Sequence, residues 1–259
     1  MQEKIELTAE WIVASKSTVV FVGAGMSTES GIPDFRSPGG LWSKYRPIDY
    51  DEFVASAEAR REAWRRRLAM SEVLDAARPN KGHDAIRRLV DTRNVSTVIT
   101  QNIDGLHEAS GVPKECIVEL HGNTMYAECL ECRRRYEIDD VRRRFERTGD
   151  APSCDDCGGF VKTATVSFGQ AMPEAAMRRA EQATLAADVF VAIGSSLVVY
   201  PAAGFPVLAK RRGARLVIIN REPTDLDGFA DLVVHGEIGP LLEALWTPDV
   251  GDSAAKGAL

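Results

Sequence analysis

Residues 17–25 have the sequence STVVFVGAG, and this stretch decides the fold. The first six residues, Ser17 to Val22, are mostly apolar and β-branched, which is typical of a strand buried inside a parallel sheet. The run stops abruptly at Gly23-Ala24-Gly25, ahead of a helix-like segment. A strand, a glycine turn and a helix in this order predict a place where backbone N–H groups hold a pyrophosphate.

The rest of the chain repeats this alternation of short apolar runs and helical patterns. The runs predicted as strands cover residues 95–100, 188–193, 215–220 and 231–234. The helical patterns cover residues 3–15, 81–91, 174–187, 202–212 and 240–245. Strands that alternate with helices predict an α/β fold with a Rossmann-like, doubly wound parallel sheet.

Two stretches interrupt the alternation. Residues 39–80 hold a Gly/Pro-marked loop and a charged amphipathic pattern without a strand, and residues 124–165 hold four paired cysteines. We interpret both as insertions that together form a smaller lobe, a zinc ribbon plus a helical insertion. One domain then spans residues 1–247, its core is formed by residues 1–38, 81–123 and 166–247, and residues 248–259 form a flexible tail.

The bulk composition sets limits on function. The 259 residues carry a net charge of −6, which gives no reason to expect nucleic acid or an anionic membrane as partner. Arginine runs at 65–67, 133–135 and 142–144 are interpreted as solvated surface. No apolar stretch is long enough to span a bilayer, and the N-terminus is not a signal peptide. We therefore expect a cytoplasmic protein.

Four of the five cysteines form two C-x-x-C pairs, Cys129 with Cys132 and Cys154 with Cys157. Each pair makes a tight knuckle, and four thiolates aimed at one point complete a closed tetrahedral zinc site. Because a closed site has no open position for substrate, the predicted zinc is structural, and it stabilises the fold by ~10–16 kcal/mol. Two unrelated redox or core pairs are the alternative. Cys116 is interpreted as a core residue.

The glycine turn departs from the fingerprint of nicotinamide dehydrogenases. The third glycine of that fingerprint falls at position 28, which is Thr28. Residues 37–42 form a loop where a dehydrogenase has a second strand that ends in an acidic residue. The sequence still predicts a dinucleotide-binding site, but it disfavours hydride transfer as the reaction.

Six motifs occur in order along the chain: GAGMSTESGIPDFR at 23–36, TQNIDGLH at 100–107, ELHG at 119–122, VSFG at 166–169, GSSLVVYP at 194–201 and IIN at 218–220. Together they resemble the sirtuin family, the NAD-dependent protein-lysine deacylases. The cysteine pairs occupy the family's position between the third and fourth motifs. The resemblance implies that NAD is a consumed co-substrate and that the products are deacylated lysine, nicotinamide and O-acyl-ADP-ribose.

The resemblance also assigns the catalytic residues. His121 is the general base, since an imidazole accepts a proton near neutral pH. Asn102 hydrogen-bonds the ribose or a water molecule, and Asp104 accepts from the nicotinamide carboxamide. For His121 the alternative is a packed or capping histidine. For Asn102 and Asp104 it is an Asx turn, which is compatible with the functional role.

The residues expected to bind NAD lie in the same motifs and beside them. They are Gly23, Ala24, Gly25, Glu29, Asp34, Phe35, Arg36, Trp42, Gln101, Asn102, Ile103, Asp104, His121, Gly194, Ser195, Ser196, Asn220, Arg221, Glu222 and Ile238.

An acyl-lysine protein or peptide is the expected partner, in a cleft between core and zinc lobe. Val166, Phe168, Gly169 and Val198 are predicted to contact it, with the backbone of both valine segments pairing with an extended peptide. The same valines fit core strands as well. Family members that prefer acidic acyl groups carry Tyr-x-x-Arg, and the positions aligned with that motif hold Trp64 and Arg67. The tyrosine hydroxyl is missing, so acetyl and other neutral acyl groups are favoured.

This chain departs from the family pattern at Gln170, where a glutamate is usual, and at Ser195, where threonine is commoner. Two other functions are compatible with parts of the sequence. One is mono-ADP-ribosyl transfer to protein in the same cleft. The other is a zinc-ribbon scaffold or nucleic-acid-binding protein, which leaves the glycine turn and residues 101–104 unexplained.

Overall fold

Two β-sheets organise the protein in a computed structural model that describes residues 1–35, 40–92 and 94–245. The strands of these residues are β1 (Thr18–Val22), β2 (Thr97–Thr100), β3 (Ile117–Glu119), β4 (Gly122–Cys129), β5 (Arg135–Glu137), β6 (Val161–Thr165), β7 (Val189–Ile193), β8 (Arg215–Asn220) and β9 (Leu232–His235). The α-helices are α1 (Gln2–Ala14), α2 (Leu41–Lys44), α3 (Tyr50–Ala55), α4 (Ala57–Ala69), α5 (Ser71–Ala76), α6 (Lys81–Asp91), α7 (Leu106–Ala109), α8 (Ile138–Thr148), α9 (Glu174–Ala186), α10 (Gly204–Arg211) and α11 (Ile238–Leu245).

The larger sheet is parallel and has the strand order β3-β2-β1-β7-β8-β9. The chain moves outward from β1 to β2 and β3 and then returns to the other side of β1. The predicted doubly wound sheet is therefore confirmed. Strand β1, which the opening stretch predicted, is buried along its whole length between β2 and β7. Strand β3 was not predicted, because three residues are too few to show a pattern.

Alternate residues of each central strand pack into two different cores. Val20 and Val22 of β1 belong to the core beneath α1, α6 and α11, whereas Val19 and Phe21 belong to the core beneath α9 and α10. This alternation follows from the two-residue period of a strand. Each such side chain contributes ~1.5–3 kcal/mol when it is fully buried. Both faces are covered by helices, which holds the strand ends in fixed positions.

A capping residue explains why the predicted range of α6, residues 81–91, matches the structure. The side-chain oxygen of Asn80 accepts from the backbone N–H groups of Gly82 and His83, which would otherwise lack partners. The segment after the glycine turn was predicted only as helix-like, and it is a 3₁₀ helix over Ala24–Ser30.

The smaller lobe combines both insertions. Its three-stranded sheet has the order β5-β4-β6 and is antiparallel, and α8 packs against β4 and β5. Trp64 of α4, in the helical insertion, packs into the same core as Cys129, Tyr136 and Val161. Strand β4 begins at Gly122, two residues before the predicted range 124–165. The division at residues 39–80 and 124–165 remains our proposal.

Within the described residues, no helix combines the length and the apolar character that a membrane span needs. Arg36 and the predicted tail at residues 248–259 lie outside the described residues.

Candidate active site

A cleft of about 430 Å³ opens at the carboxyl ends of β1, β2, β7 and β8. Parallel α/β sheets bind ligands at this edge, at the point where the strand order reverses. The cleft brings together most residues that the motifs predicted for NAD. Those that line it are Gly23, Ala24, Gly25, Glu29, Asp34, Phe35, Trp42, Gln101, Asn102, Ile103, His121, Gly194, Ser195, Ser196, Asn220, Arg221, Glu222 and Ile238.

Glycines allow the loops after β1 and β7 to touch at the floor of the cleft. The N–H of Gly25 donates to the carbonyl of Gly194 at 2.8 Å, and that of Gly23 donates to Ile193 at 2.9 Å. A Cβ on Gly23 would lie 2.7 Å from the Gly194 oxygen. The glycine turn is therefore required by the packing of these two loops.

His121 is oriented by the backbone of the neighbouring strand end. Its Nδ1 lies 3.0 Å from the carbonyl oxygen of Gln101. A carbonyl only accepts, so in the neutral ring Nδ1 carries the proton and Nε2 is the basic nitrogen. The amide of Gln101 donates to Ser195 Oγ at 2.9 Å, which fixes Gln101 against the loop after β7. This arrangement suits a general base.

Ser27 joins the two other predicted catalytic residues. Its hydroxyl donates to Asp104 Oδ2 at 2.7 Å and accepts from Asn102 Nδ2 at 3.1 Å, and all three side chains are buried. The second carboxylate oxygen of Asp104 accepts from Leu106 N, so the predicted Asx turn is present. Ser27 is not among the residues predicted for the site. Its place inside the first motif was the available signal.

A second cavity of about 240 Å³ adjoins the cleft at these residues. Asn102 and Ile103 line both spaces, whereas Asp104 and Ser27 line only the second cavity. Asp104 is thus set apart from the other predicted NAD contacts. A small polar ring entering from the cleft would meet its carboxylate here.

Two further histidines lie buried close to Asp104. His83 and His107 are 0% and 3% exposed, and their ring centroids are 4.9 Å apart. Burial, with a smaller contribution from His83, lowers the pKa of His107 to about 3, so this ring is neutral. His83 belongs to the Asn80 capping box at the start of α6 and is fully buried. These rings pack beneath the site and do not line the cleft.

An aromatic row crosses the entrance of the cleft. The ring centroids of Phe35 and Trp42 are 5.5 Å apart, and those of Trp42 and Phe168 are 5.5 Å apart. The N–H of Tyr50 donates to the carbonyl of Phe168 at 2.9 Å, which ties the helical insertion to the segment after β6. The row can therefore shield the interior of the cleft from water.

The opposite end of the cleft is more polar. Asn220 Nδ2 donates to the carbonyl of Glu222, which shapes the loop after β8. His235 bridges the Asn220 carbonyl at 3.1 Å and Asp227 Oδ2 at 3.0 Å. His235 was not predicted for the site, because its partners come from different elements. A ribose would find hydrogen-bonding groups at this end.

The structure separates the predicted substrate residues. Val166, Phe168 and Gly169 line the cleft, whereas Val198 does not, although the adjacent Val199 does. The alternative that these valines form core strands is wrong, because β6 ends at Thr165 and no strand covers Val198 or Val199.

Trp64 does not reach the cleft. Its side chain is 1% exposed in the core of the small lobe, and its indole N–H donates to the Val161 carbonyl at 3.1 Å. Trp64 is thus placed in the small-lobe core, away from the main cleft, and its role as a substrate contact stays a prediction. Arg67 lines the second cavity, but Nε donates to Thr124 O and Nη1 to Ser71 Oγ, so much of its guanidinium is engaged.

Gln170 stabilises its own loop. Its Oε1 accepts from the N–H of Ser167 at 3.1 Å, and its N–H donates back to the Ser167 carbonyl at 3.0 Å. The uncharged amide in place of the family's glutamate therefore has a local structural role.

The four paired cysteines meet at one point. Their Sγ atoms all lie within 4.8 Å of one another, and the pairs Cys129–Cys157 and Cys132–Cys154 are 3.5 Å apart. A tetrahedral zinc with bonds of about 2.3 Å needs sulfurs about 3.8 Å apart, so the geometry fits. The Tyr136 hydroxyl donates to Cys154 and lowers the pKa of that thiol to about 6, which favours the thiolate ligand.

The cluster is remote from His121. Strand β4 separates Gly122, next to His121, from Cys129, and seven residue steps correspond to roughly 20 Å. A zinc at the cysteines therefore supports the lobe and has no contact with the reacting groups.

The arginine runs of the small lobe are matched by acidic side chains. Arg133 pairs with Glu128, Arg143 with Asp140, and Arg144 with Asp155. Paired guanidinium groups do not form the unbalanced basic surface that nucleic acid requires. The nucleic-acid alternative gains no support from this surface.

Comparisons with known proteins give consistent results. The sequence model described as the Sir2 family matches residues 23–201. The chain is 57% identical over 242 residues to "NAD-dependent protein deacetylase 1" of Bradyrhizobium diazoefficiens, covering 93% of this chain and 95% of the relative. It is 58% identical over 238 residues to "NAD-dependent protein deacetylase" of Rhodopseudomonas palustris, covering 92% and 94%.

Solved structures are similar over the same length. A structure titled "Sir2-p53 peptide-NAD+" has a TM-score of 0.83 and 35% identity and covers 92% of this chain and 95% of its own. One titled "Sir2 bound to acetylated peptide" has a TM-score of 0.82 and 34% identity, with the same coverage.

Proposed function

This chain belongs to the Sir2 family, and from that premise we propose that it is an NAD-dependent protein-lysine deacylase that acts mainly on acetyl groups. The observation that carries the proposal is the position of His121. Its ring is oriented by Gln101 in a cleft that also contains the glycine turn and the segment after β6.

The described residues fit NAD. The touching loops at Gly25 and Gly194 leave room for the phosphates, and the polar end at Asn220 suits the adenosine ribose. The second cavity, with the amide of Asn102 and the carboxylate of Asp104, suits the nicotinamide ring and its carboxamide. When bound there, NAD supplies an electrophilic ribose carbon and a leaving group.

The chain's own residues perform the remaining tasks. Ser27 holds Asn102 and Asp104 in fixed rotamers, so their polar atoms are preorganised. Phe35, Trp42 and Phe168 exclude water from the reacting centre. His121 accepts a ribose hydroxyl proton at Nε2, while the bond from Nδ1 to Gln101 O maintains the tautomer.

The substrate backbone pairs with the segment that follows β6. The N–H of Val166 is bonded to His121 O, which places this segment beside the base. Strand addition uses main-chain hydrogen bonds, so the cleft can bind substrates of many different sequences. A neutral acyl group is favoured because Trp64 lies in the small-lobe core and Arg67 is engaged by Thr124 and Ser71.

Acetyl-lysine and succinyl-lysine peptides incubated with NAD test the proposal by mass spectrometry. We expect one nicotinamide and one O-acyl-ADP-ribose per lysine released, with acetyl preferred. Nicotinamide release that is equally fast without peptide would contradict deacylation. Label transfer from adenine-labelled NAD to protein in a deacylation-dead variant would indicate the ADP-ribosyltransferase alternative instead.

The proposed location of the protein is the cytoplasm. This proposal rests on the use of paired cysteines for a metal site in place of disulfides.

A further inference from the structure

We propose that a small cavity around Lys162 is a subsite for an acidic side chain of the substrate, next to the acyl-lysine. The inference rests on the proposed function and adds a sequence preference to it. No motif of the sequence analysis includes Lys162.

Lys162 is a buried cation with only main-chain partners. Its side chain lies on β6 and is 5% exposed, and Nζ donates to the carbonyl oxygens of Thr165 at 2.5 Å and Thr163 at 3.5 Å. Carbonyl oxygens satisfy hydrogen bonds but do not neutralise the charge. A buried cation without a counter-charge favours binding of an anion.

The acidic residue opposite Lys162 on the neighbouring strand is already engaged in an ion pair. Glu128 stands opposite Lys162 in the register of β4 and β6. Its carboxylate pairs with Arg133 at 2.6 Å. In the part of the chain that the structure describes, no carboxylate forms an ion pair with Lys162.

The cavity beside Lys162 adjoins the main cleft and shares lining residues with it. It has a volume of about 70 Å³, and Phe53 and Trp64 form its apolar wall. Ile48, Thr165 and Ser167 line both this cavity and the main cleft. A peptide lying along the segment after β6 can therefore direct a side chain into the cavity.

The size and chemistry of the cavity favour a carboxylate. The apolar wall suits the methylene groups of a glutamate, and Lys162 is the cation that lines it. Burial lowers the pKa of Lys162 to about 8, so the ammonium form predominates at pH 7 and the neutral amine at pH 9. The charged groups on the neighbouring elements are the Glu128–Arg133 ion pair beside β6 and Arg60 of α4, which lies over the Phe160 ring and donates to the Phe53 carbonyl.

Paired acetyl-lysine peptides test the subsite. Glutamate is placed in turn at each position flanking the acetyl-lysine, and each peptide has a glutamine twin of equal size. We expect about a tenfold higher kcat/KM for glutamate at one or two positions, which corresponds to about 1.4 kcal/mol. The Kd of the same twins without NAD should differ by a similar factor.

Two variants and a pH series make the test specific. In Lys162→Met the glutamate-to-glutamine ratio should fall to about one, whatever the overall rate. Lys114→Met, which changes a 76% exposed lysine, should retain the ratio. In the unchanged protein the ratio should fall as pH rises from 7 to 9. This measurement decides the question if Lys162→Met does not fold.

The outcomes separate this inference from the proposed function. Equal deacetylation of both twins at every position would leave the function standing and overturn the subsite. A preference that survives unchanged in Lys162→Met would also overturn it. Failure of every acetyl peptide to release nicotinamide would overturn the proposed function and the subsite together.

Discussion

The large lobe and the small lobe hold their side chains in place by different means. The parallel sheet is covered by helices on both faces, and whole strands such as β1 and β7 are buried. The small lobe has a core of eight buried side chains, two of which are the thiols Cys129 and Cys154. We therefore expect the large lobe to be stabilised mainly by burial of apolar surface and the small lobe to depend on a metal at its cysteines.

The proposed chemistry lies where the two lobes meet. Gln101, Ser195 and the glycine turn come from the large lobe, and the substrate segment follows β6 of the small lobe. His121 lies between β3 and β4, where the chain passes from the large lobe to the small lobe. A change in the large lobe and a change in the small lobe should therefore affect the site in different ways.

Removal of zinc should have the largest effect, because it takes away most of the ~10–16 kcal/mol that such a site supplies. We expect a chelator or Cys154→Ser to unfold residues 122–165 and abolish deacylation, while the parallel sheet remains folded. Hydrogen exchange followed by mass spectrometry distinguishes the lobes. Cys116→Ser is the matched control. If the amides of β4 stayed protected from exchange after chelation, the small lobe would not depend on zinc.

Replacing the base should stop the chemistry and leave both lobes intact. His121→Ala is expected to lower kcat/KM by about 10²–10⁴-fold, since a general base contributes that much. The ring is only partly buried, so the melting temperature should change little. A large fall in melting temperature would show instead that His121 is a packing residue.

A methyl group on Gly122 should push apart β4 and β6, the two small-lobe strands that meet beside His121. Gly122 has a φ of 73°, and a Cβ there would lie 2.0 Å from the carbonyl oxygen of Ala164. We expect Gly122→Ala to cost more than about 3 kcal/mol of unfolding free energy and to reduce activity.

Gly149 provides the matched control for that substitution. It has a similar φ of 71°, but nothing lies within 4 Å of its Cβ position. Gly149→Ala should therefore cost only the ~1–2 kcal/mol of the left-handed backbone. Equal losses in urea unfolding would refute the steric contact at Gly122.

Acid should weaken the large lobe through its buried histidine. The folded pKa of His107 is about 3, so the folded ring stays neutral while the unfolded ring is protonated below pH ~6.5. Stability is then lost as pH falls from ~6.5 towards 3, by about 2 kcal/mol between pH 6.5 and 5.

Urea unfolding of His107→Leu at pH 7 and pH 5 measures this effect. The pH dependence should be smaller in the variant than in the unchanged protein by about 2 kcal/mol. An identical pH dependence in both proteins would mean that His107 is hydrated in the folded state.

Features with a short repeat or a fixed spacing were predictable from the sequence. The parallel strands β1, β7 and β8 are continuous apolar runs, and α6 begins at a capping residue. The metal site was predictable from the cysteine spacing, because two residues between paired cysteines form a tight turn that directs both thiols to one point. Strand β3 and the 3₁₀ helix after β1 lacked such signals.

Features that depend on distant neighbours were not predictable. Trp64 aligns with a substrate contact but packs into the small-lobe core, because α4 lies against β6. Ser27 acquires its role only when the turn after β1 meets the loop after β2. Lys162 becomes a buried cation only because the helical insertion covers its strand.

The sequence by itself determined the parallel sheet, the zinc cluster and the family, since these depend on local periodicity and on residue types at fixed spacing. Only the tertiary structure decided which side chains meet. Partners such as Gln101 with Ser195, or Lys162 with its cavity, lie far apart along the chain or on different elements. Their contacts arise when sheet, insertions and loops pack together, and no local pattern encodes that packing.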